Sequence, residues 1–164
     1  MIEMKIVTIQ VSLVSAHRIV LLKEVGGEHY LPIWIGSCEA EAISIHLRGM
    51  ALPRPMTHDL FINLLASLEL ELSYVLVRSL LEGTFYGRLV VRSGHAAPLE
   101  IDSRPSDALA IAVRANAPIY ATESVMSEAG ITPSVDLLRS RSTTGLDAFH
   151  DFFDNLDMDK LATD

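Results

Sequence analysis

Apolar and polar residues alternate one for one at the start of this chain, and that period of two commits it to a sheet. Over residues 4–13, Val7, Ile9, Val11 and Leu13 alternate with Thr8, Gln10 and Ser12, the pattern of a strand with one buried face. A second apolar run, residues 19–22, leads through Glu24-Val25-Gly26-Gly27-Glu28 into residues 30–35. A Gly-Gly pair between two such runs predicts a hairpin, so three antiparallel strands open the fold. Further on, Leu70, Leu72, Tyr74 and Leu76 alternate with Glu71, Ser73, Val75 and Val77, and Glu82-Gly83 turns the chain into residues 84–92. This is a second hairpin. A short strand at 99–102 and extended structure at 118–122 complete the sheet.

Between the hairpins the spacing becomes helical. Residues 37–48 place Ala40, Ile43 and Leu47 three and four apart, with Gly49 positioned to end the helix. Pro53 and Pro55 forbid its continuation. A second helix runs from Thr57, read as its N-cap, to about Leu68, with Asp59 in the first turn where a carboxylate suits the dipole. A third begins at Pro105, where no N–H is needed, and ends near Asn116. Residues 123–129 form a fourth, closed by Gly130. Hairpins followed by helices predict one α+β domain over residues 1–130, with a mixed, mainly antiparallel sheet and three to four helices. Residues 131–145 read as a flexible connection. Residues 146–164 read as an acidic tail in which Phe149, Phe152, Phe153 and Leu156 fall at helical spacings.

Charge and composition narrow the partners. The 164 residues carry a formal charge of -8, which opposes general binding to a polyanion, since that binding is driven by Lys and Arg displacing counterions. Residues 1–130 hold 10 Lys and Arg against 14 Asp and Glu, and residues 131–164 hold 3 against 7. Half of the excess acid thus sits in the tail, which leaves room for a local basic site on the body. No run approaches the roughly 20 apolar residues of a membrane helix. Cys38 is the one cysteine, so no internal disulfide forms, and a cytoplasmic protein is expected. A hydrophobic fraction of 49% gives apolar surplus, and a homo-oligomer is expected.

Three polar clusters exceed what a core requires: Glu39, Glu41, His46 and Arg48 on the first helix, the run from Pro53 to Asp59, and the run from Ile101 to Asp107. The segment Leu31-Pro32-Ile33-Trp34-Ile35-Gly36, followed by Glu39-Ala40 and Ala42-Ile43, is similar to the opening motif of the bifunctional nuclease domain family of bacteria and plants. Arg54-Pro55-Met56-Thr57-His58-Asp59-Leu60 resembles that family's second motif. Ile101-Asp102-Ser103-Arg104-Pro105-Ser106-Asp107-Ala108, with Ala110 and Arg114, resembles its third. The resemblance spans about residues 4–130 and implies a compact α+β domain with DNase and RNase activity, and hence nucleic acid as a partner.

Hydrolysing a phosphodiester calls for a polarised phosphoryl oxygen, an activated water and a stabilised leaving oxygen, commonly with Mg²⁺ or Mn²⁺ held by carboxylates. His58, Asp59 and Asp102 are the candidate catalytic residues. Arg54 and Arg104 offer planar donor forks for phosphate, and Glu39, Asp102 and Asp107 could supply oxygen ligands to a metal. Each has a plainer reading. Asp59 and Asp107 fall in first helical turns, where a carboxylate stabilises the dipole by about 0.3–1 kcal/mol without any catalytic role. Arg54 and Arg104 can pair with neighbouring aspartates to pin loops, and either role predicts that they are partly buried. His58-Asp59 is similar to the His-Asp pair of metal-dependent phosphohydrolases, without the further ligands of those enzymes.

Outside the motifs, Tyr86, Arg88 and Arg92 alternate onto one strand face that could stack and neutralise nucleic acid, or be a solvated face. Trp34 and Cys38 read as buried, and His46 as a core or interface histidine. Two other functions compete with a nuclease. One is a non-catalytic oligomeric binding or regulatory module for a small anionic ligand or protein partner. The other is an oligomeric scaffold whose motifs serve only the fold.

Overall fold

The computed structural model describes residues 1–11, 18–94 and 97–132. Two antiparallel meanders make up the sheet. The first is β1 (Ile2–Val11), β2 (Arg18–Glu24) and β3 (Tyr30–Ile35); the second is β4 (Glu71–Leu81), β5 (Thr84–Arg92) and β6 (Leu99–Ser103). They are joined by β7 (Ile119–Ala121), three residues that pair antiparallel with β1 and parallel with β4, giving the order β3-β2-β1-β7-β4-β5-β6. The fold is α+β with a mixed, mostly antiparallel sheet. Both predicted turns form: Glu82 and Gly83 lie at φ 48 and 72, the positive angles of a tight two-residue hairpin, whereas β2 and β3 are joined by the longer loop 25–29, in which Gly26 lies at φ 82.

Among the described residues four helices accompany the sheet: α1 (Ser37–Leu47), α2 (Thr57–Ser67), α3 (Pro105–Ala115) and α4 (Glu123–Ala129). Gly49, at φ 63, closes the α1 end as predicted. α3 contacts α1, α2, β4 and β5, and Ala108 to Ala112 are all buried. Small side chains let helices and sheet approach this closely. Ile43 of α1 and Leu109 of α3, both fully buried, each stabilise the cluster by about 1.5–3 kcal/mol.

Strict alternation fails in two strands, for one reason. The β1–β2 register shifts between Ile6 and Thr8, and the β4–β5 register between Leu72 and Tyr74. An extra residue in one strand flips every later side chain to the other face. Ile2, Met4 and Ile6 therefore face the core before the shift and Ile9 after it, while Val7, expected on the same face as Ile9, is 49% exposed. Likewise Leu72 packs on the core, but beyond the bulge Val75 and Val77 take over that face from Tyr74 and Leu76. Leu47, expected on the buried face of α1, is exposed, and Ala42 is buried instead. Met56 is the N-cap of α2, and Thr57 is its first helical residue.

Ile131, expected to begin the flexible connection, bridges Tyr30 by two backbone hydrogen bonds of 2.8 Å. The rest of that connection and the acidic tail lie outside the described residues, 132 apart. Among the described residues no helix is long and apolar enough to cross a membrane.

Candidate functional site

The three sequence motifs meet where α1, α2 and the start of α3 converge. Gly87 on β5 makes this possible. A Cβ there would stand 2.9 Å from the carbonyl oxygen of Ser103 and 3.0 Å from the nitrogen of Pro105, so only glycine lets β5 pass so close to the Arg104-Pro105 corner. Arg104 is the extended N-cap of α3, with Pro105 at its first position, and this sets the Arg104 side chain beside the first turn.

Four side chains are linked there. Arg104 donates from Nε to Asp107 Oδ2 (2.7 Å) and from Nη2 to Asp107 Oδ1 (3.0 Å). Its Nη2 also lies 2.8 Å from Glu39 Oε1 of α1. His58 Nε2 is 3.3 Å from Asp107 Oδ1, whereas His58 Nδ1 is buried without a hydrogen-bond partner among the described residues. Burial by itself raises the Asp107 carboxyl, but hydrogen bonds from Arg104 and then His58 outweigh it and hold the group below the usual aspartate value. Asp107 is thus an anion that orients its neighbours. Hydrogen bonding to Asp107 in turn raises the already high guanidinium value of Arg104 further.

A second linkage stands beside the first. Asp59 Oδ2 accepts the Met56 backbone N–H at 2.7 Å, capping α2, while Oδ1 accepts from Arg114 Nε at 2.5 Å. Arg114 also donates to the carbonyls of Ala110 (2.8 Å) and Ala42 (3.1 Å). Burial raises the Asp59 carboxyl, and the Met56 N–H and the Arg114 guanidinium more than offset it, so the value is lowered. Consecutive residues His58 and Asp59 therefore serve different partners. No role was assigned to Arg114 from sequence. The available signal was a single arginine in a helix otherwise apolar beyond its first turn.

The remaining expectations fall out differently. Asp102 is exposed on β6, opposite Arg88, and has no hydrogen bond or ion pair among the described residues. Arg54 lies apart from Arg104, in a hollow with Asp59 and Arg114. Both Arg54 and Arg104 are exposed, not partly buried: Arg54 lies in a bend between Pro53 and Pro55, and Arg104 caps α3 from outside its first turn. Trp34 is 40% exposed and Cys38 is exposed, which corrects their reading as buried groups; His46 is exposed as well, which removes the core alternative for it. Trp34 pairs with Ile19 on the sheet face opposite the main cluster. Arg88 pairs with Glu100 across β5 and β6, so that face is charge-balanced.

A divalent cation needs several convergent oxygens. Among the described residues no group of three or more His, Cys, Asp or Glu is arranged to hold one. Glu39 and Asp107 both face Arg104, and Asp102 stands elsewhere. The three expected ligands thus do not fit a preformed metal centre.

Comparison with known proteins places this arrangement in context. An uncharacterized protein of Mycobacterium tuberculosis is 42% identical over 129 residues, 79% of this chain and 76% of that protein. Bifunctional nuclease 1 of Oryza sativa is 25% identical over 131 residues, 76% of this chain but only 40% of its own length. A similar match is found to the bifunctional nuclease of Oryza minuta. The bifunctional nuclease domain model matches residues 20–134, a span that includes all three motifs and both linkages, and the chain belongs to that family.

Proposed function

We propose that this chain hydrolyses phosphodiester bonds of DNA or RNA at the Arg104–Asp107–His58 cluster. The observation that carries this reading is the unspent capacity of Arg104. A guanidinium has five N–H donors, and its carboxylate partners engage Nε and Nη2, leaving Nη1 uncommitted. With its side chain 66% exposed, Arg104 can present that nitrogen to a phosphate while Asp107 and Glu39 hold the fork in place. His58 supplies proton transfer. Asp107 favours the tautomer with hydrogen on Nε2, which leaves the lone pair on Nδ1; that atom is buried, so the ring has to turn outward as substrate enters for Nδ1 to take a proton from water.

The carboxylates of the cluster, as they stand, do not converge on a cation. The test is digestion of single-stranded DNA and RNA with Mg²⁺, Mn²⁺ or chelator by the native chain and by His58→Ala, Asp107→Asn and Asp102→Asn. The first two are expected to lower the rate by at least 100-fold, the range of a lost general base. If Asp102→Asn alone abolishes cleavage, the reacting site lies on the β6 edge. An absolute need for cation would overturn the metal-independent form of this reading. Activity untouched by His58→Ala and Asp107→Asn would sink the proposal.

A second reading has support of its own. Each carboxylate of the two linkages is already matched by a protein cation, as in a module whose loops are pinned for recognition of an anionic ligand. That reading predicts oligonucleotide or small-anion binding that weakens with salt, with no cleavage under any metal condition.

A further inference from the structure

We infer that the hollow between α1, α2 and the 48–56 loop is a nucleoside monophosphate subsite, with Arg54 on the phosphate and Met50 and Leu52 against the base. The hollow has a volume of about 280 Å³ and is lined by Ile45, His46, Met50, Leu52, Arg54, Pro55, Asp59 and Arg114. Two features distinguish it. The first is charge: Arg54 and Arg114 against Asp59 leave a formal +1. Three other surface hollows carry -1 (Glu69, Glu71, Arg92), 0 (Glu3, Lys5) and -1 (Glu71). On a chain of net charge -8, a positive concavity is the place for an anion.

The second feature is the state of its side chains. Arg114 is spent on Asp59 and two carbonyls, and Arg104 is held by two carboxylates. Arg54 has no hydrogen bond or ion pair among the described residues, so its whole fork is available. Met50 and Leu52 are 53% and 43% exposed beside it, large apolar groups that contribute little to the core. An apolar wall next to a free guanidinium matches a molecule with a flat aromatic end and an anionic end. Methionine sulfur suits an aromatic ring, and a nucleotide has both ends.

The choice of a nucleotide rests on the hydrolytic reading above. The hollow opens beside that cluster: His58 and Asp59 are consecutive on α2. Asp107 and Arg114 are two turns apart on α3, roughly 10 Å along its axis. A short single strand spans that distance, so the subsite would hold a flanking nucleotide.

The test is calorimetric titration of the full chain with adenosine 5′-monophosphate, adenosine and inorganic phosphate, repeated with Arg54→Gln and Met50→Ser. Both residues are exposed, and circular dichroism checks the fold of each variant. Arg54→Gln is expected to weaken the monophosphate at least tenfold and leave adenosine unchanged, whereas Met50→Ser weakens both. Tighter binding of an adenylate trinucleotide than of the monophosphate marks a strand subsite, and the reverse marks a site for the free nucleotide. No monophosphate binding, binding indifferent to Arg54→Gln, or Met50→Ser changing only the sedimentation of the chain would overturn the inference. Monophosphate binding through Arg54 in a chain that cleaves nothing leaves the subsite standing and the hydrolytic reading fallen. Cleavage by a chain that binds no monophosphate leaves hydrolysis standing and removes the subsite.

Discussion

Removing the Arg114 guanidinium should loosen three helices at once. The side chain is only 4% exposed and reaches Asp59 on α2, the Ala42 carbonyl on α1 and the Ala110 carbonyl on its own α3. Arg114→Met keeps much of the aliphatic length and deletes the charge. Breaking a buried pair generally costs about 3–5 kcal/mol, because the other charge is stranded. Asp59 keeps 34% of its side chain in water, which softens that penalty. The Ala42 carbonyl loses its charged donor, which adds about 1 kcal/mol. A cost of about 3 kcal/mol results. With a urea slope of about 2 kcal/mol/M for a domain of this size, the unfolding midpoint falls by about 1.5 M.

Two further measurements make that reasoning refutable. Asp59→Leu combined with Arg114→Met leaves no charge stranded, so the pair should cost at least about 1 kcal/mol less than the two single changes summed. The pH dependence has a defined sign. The folded Asp59 carboxyl lies below its ordinary value of 3.8, so its contribution is complete above that value and is lost as pH falls through the lower folded one. The stability gap between the native chain and Arg114→Met should therefore be flat near neutrality and narrow below about pH 4. A gap under about 1 kcal/mol at pH 7, or one that widens in acid, would show that Arg114 does not tie these helices together.

Gly87→Ala places a methyl group 2.9 Å from backbone, which cannot swing aside; a loss of about 1–3 kcal/mol is expected, read as a lower melting temperature, together with reduced cleavage as the Arg104 corner shifts. The expected homo-oligomer has an apolar stripe suited to it in Leu60, Leu64 and Leu68, which are 64%, 51% and 58% exposed at spacings of four on the outer side of α2. Replacing all three by Ser should move the chain to monomer in sedimentation, and stability should change by only about 0.5 kcal/mol per site. An oligomer indifferent to this triple change would place its interface elsewhere.

Much of the fold was legible in order and kind. Paired apolar runs around Gly26-Gly27 and Glu82-Gly83 announced both hairpins, and Pro105 and Gly49 marked one helix start and one helix end, because these residues act through local backbone geometry. The bulges after Ile6 and Leu72 were not legible. They arise from how two strands settle against each other, and no single strand records its partner's register.

The site divides the same way. Sequence alone determined that each of the three motifs puts a carboxylate in a first helical turn (Glu39, Asp59, Asp107), where the dipole favours acids, and that the second and third add an arginine ahead of it. Which acid meets which base was decided only by tertiary structure. Asp107 took His58 and Arg104, Asp59 took Arg114, and Asp102 and Arg54 were left outside both linkages. The physical reason is distance across the chain: His58 and Asp107 are 49 positions apart, and Asp59 and Arg114 are 55 apart. Only the packing of α2 on α3 brings such groups within hydrogen-bond reach.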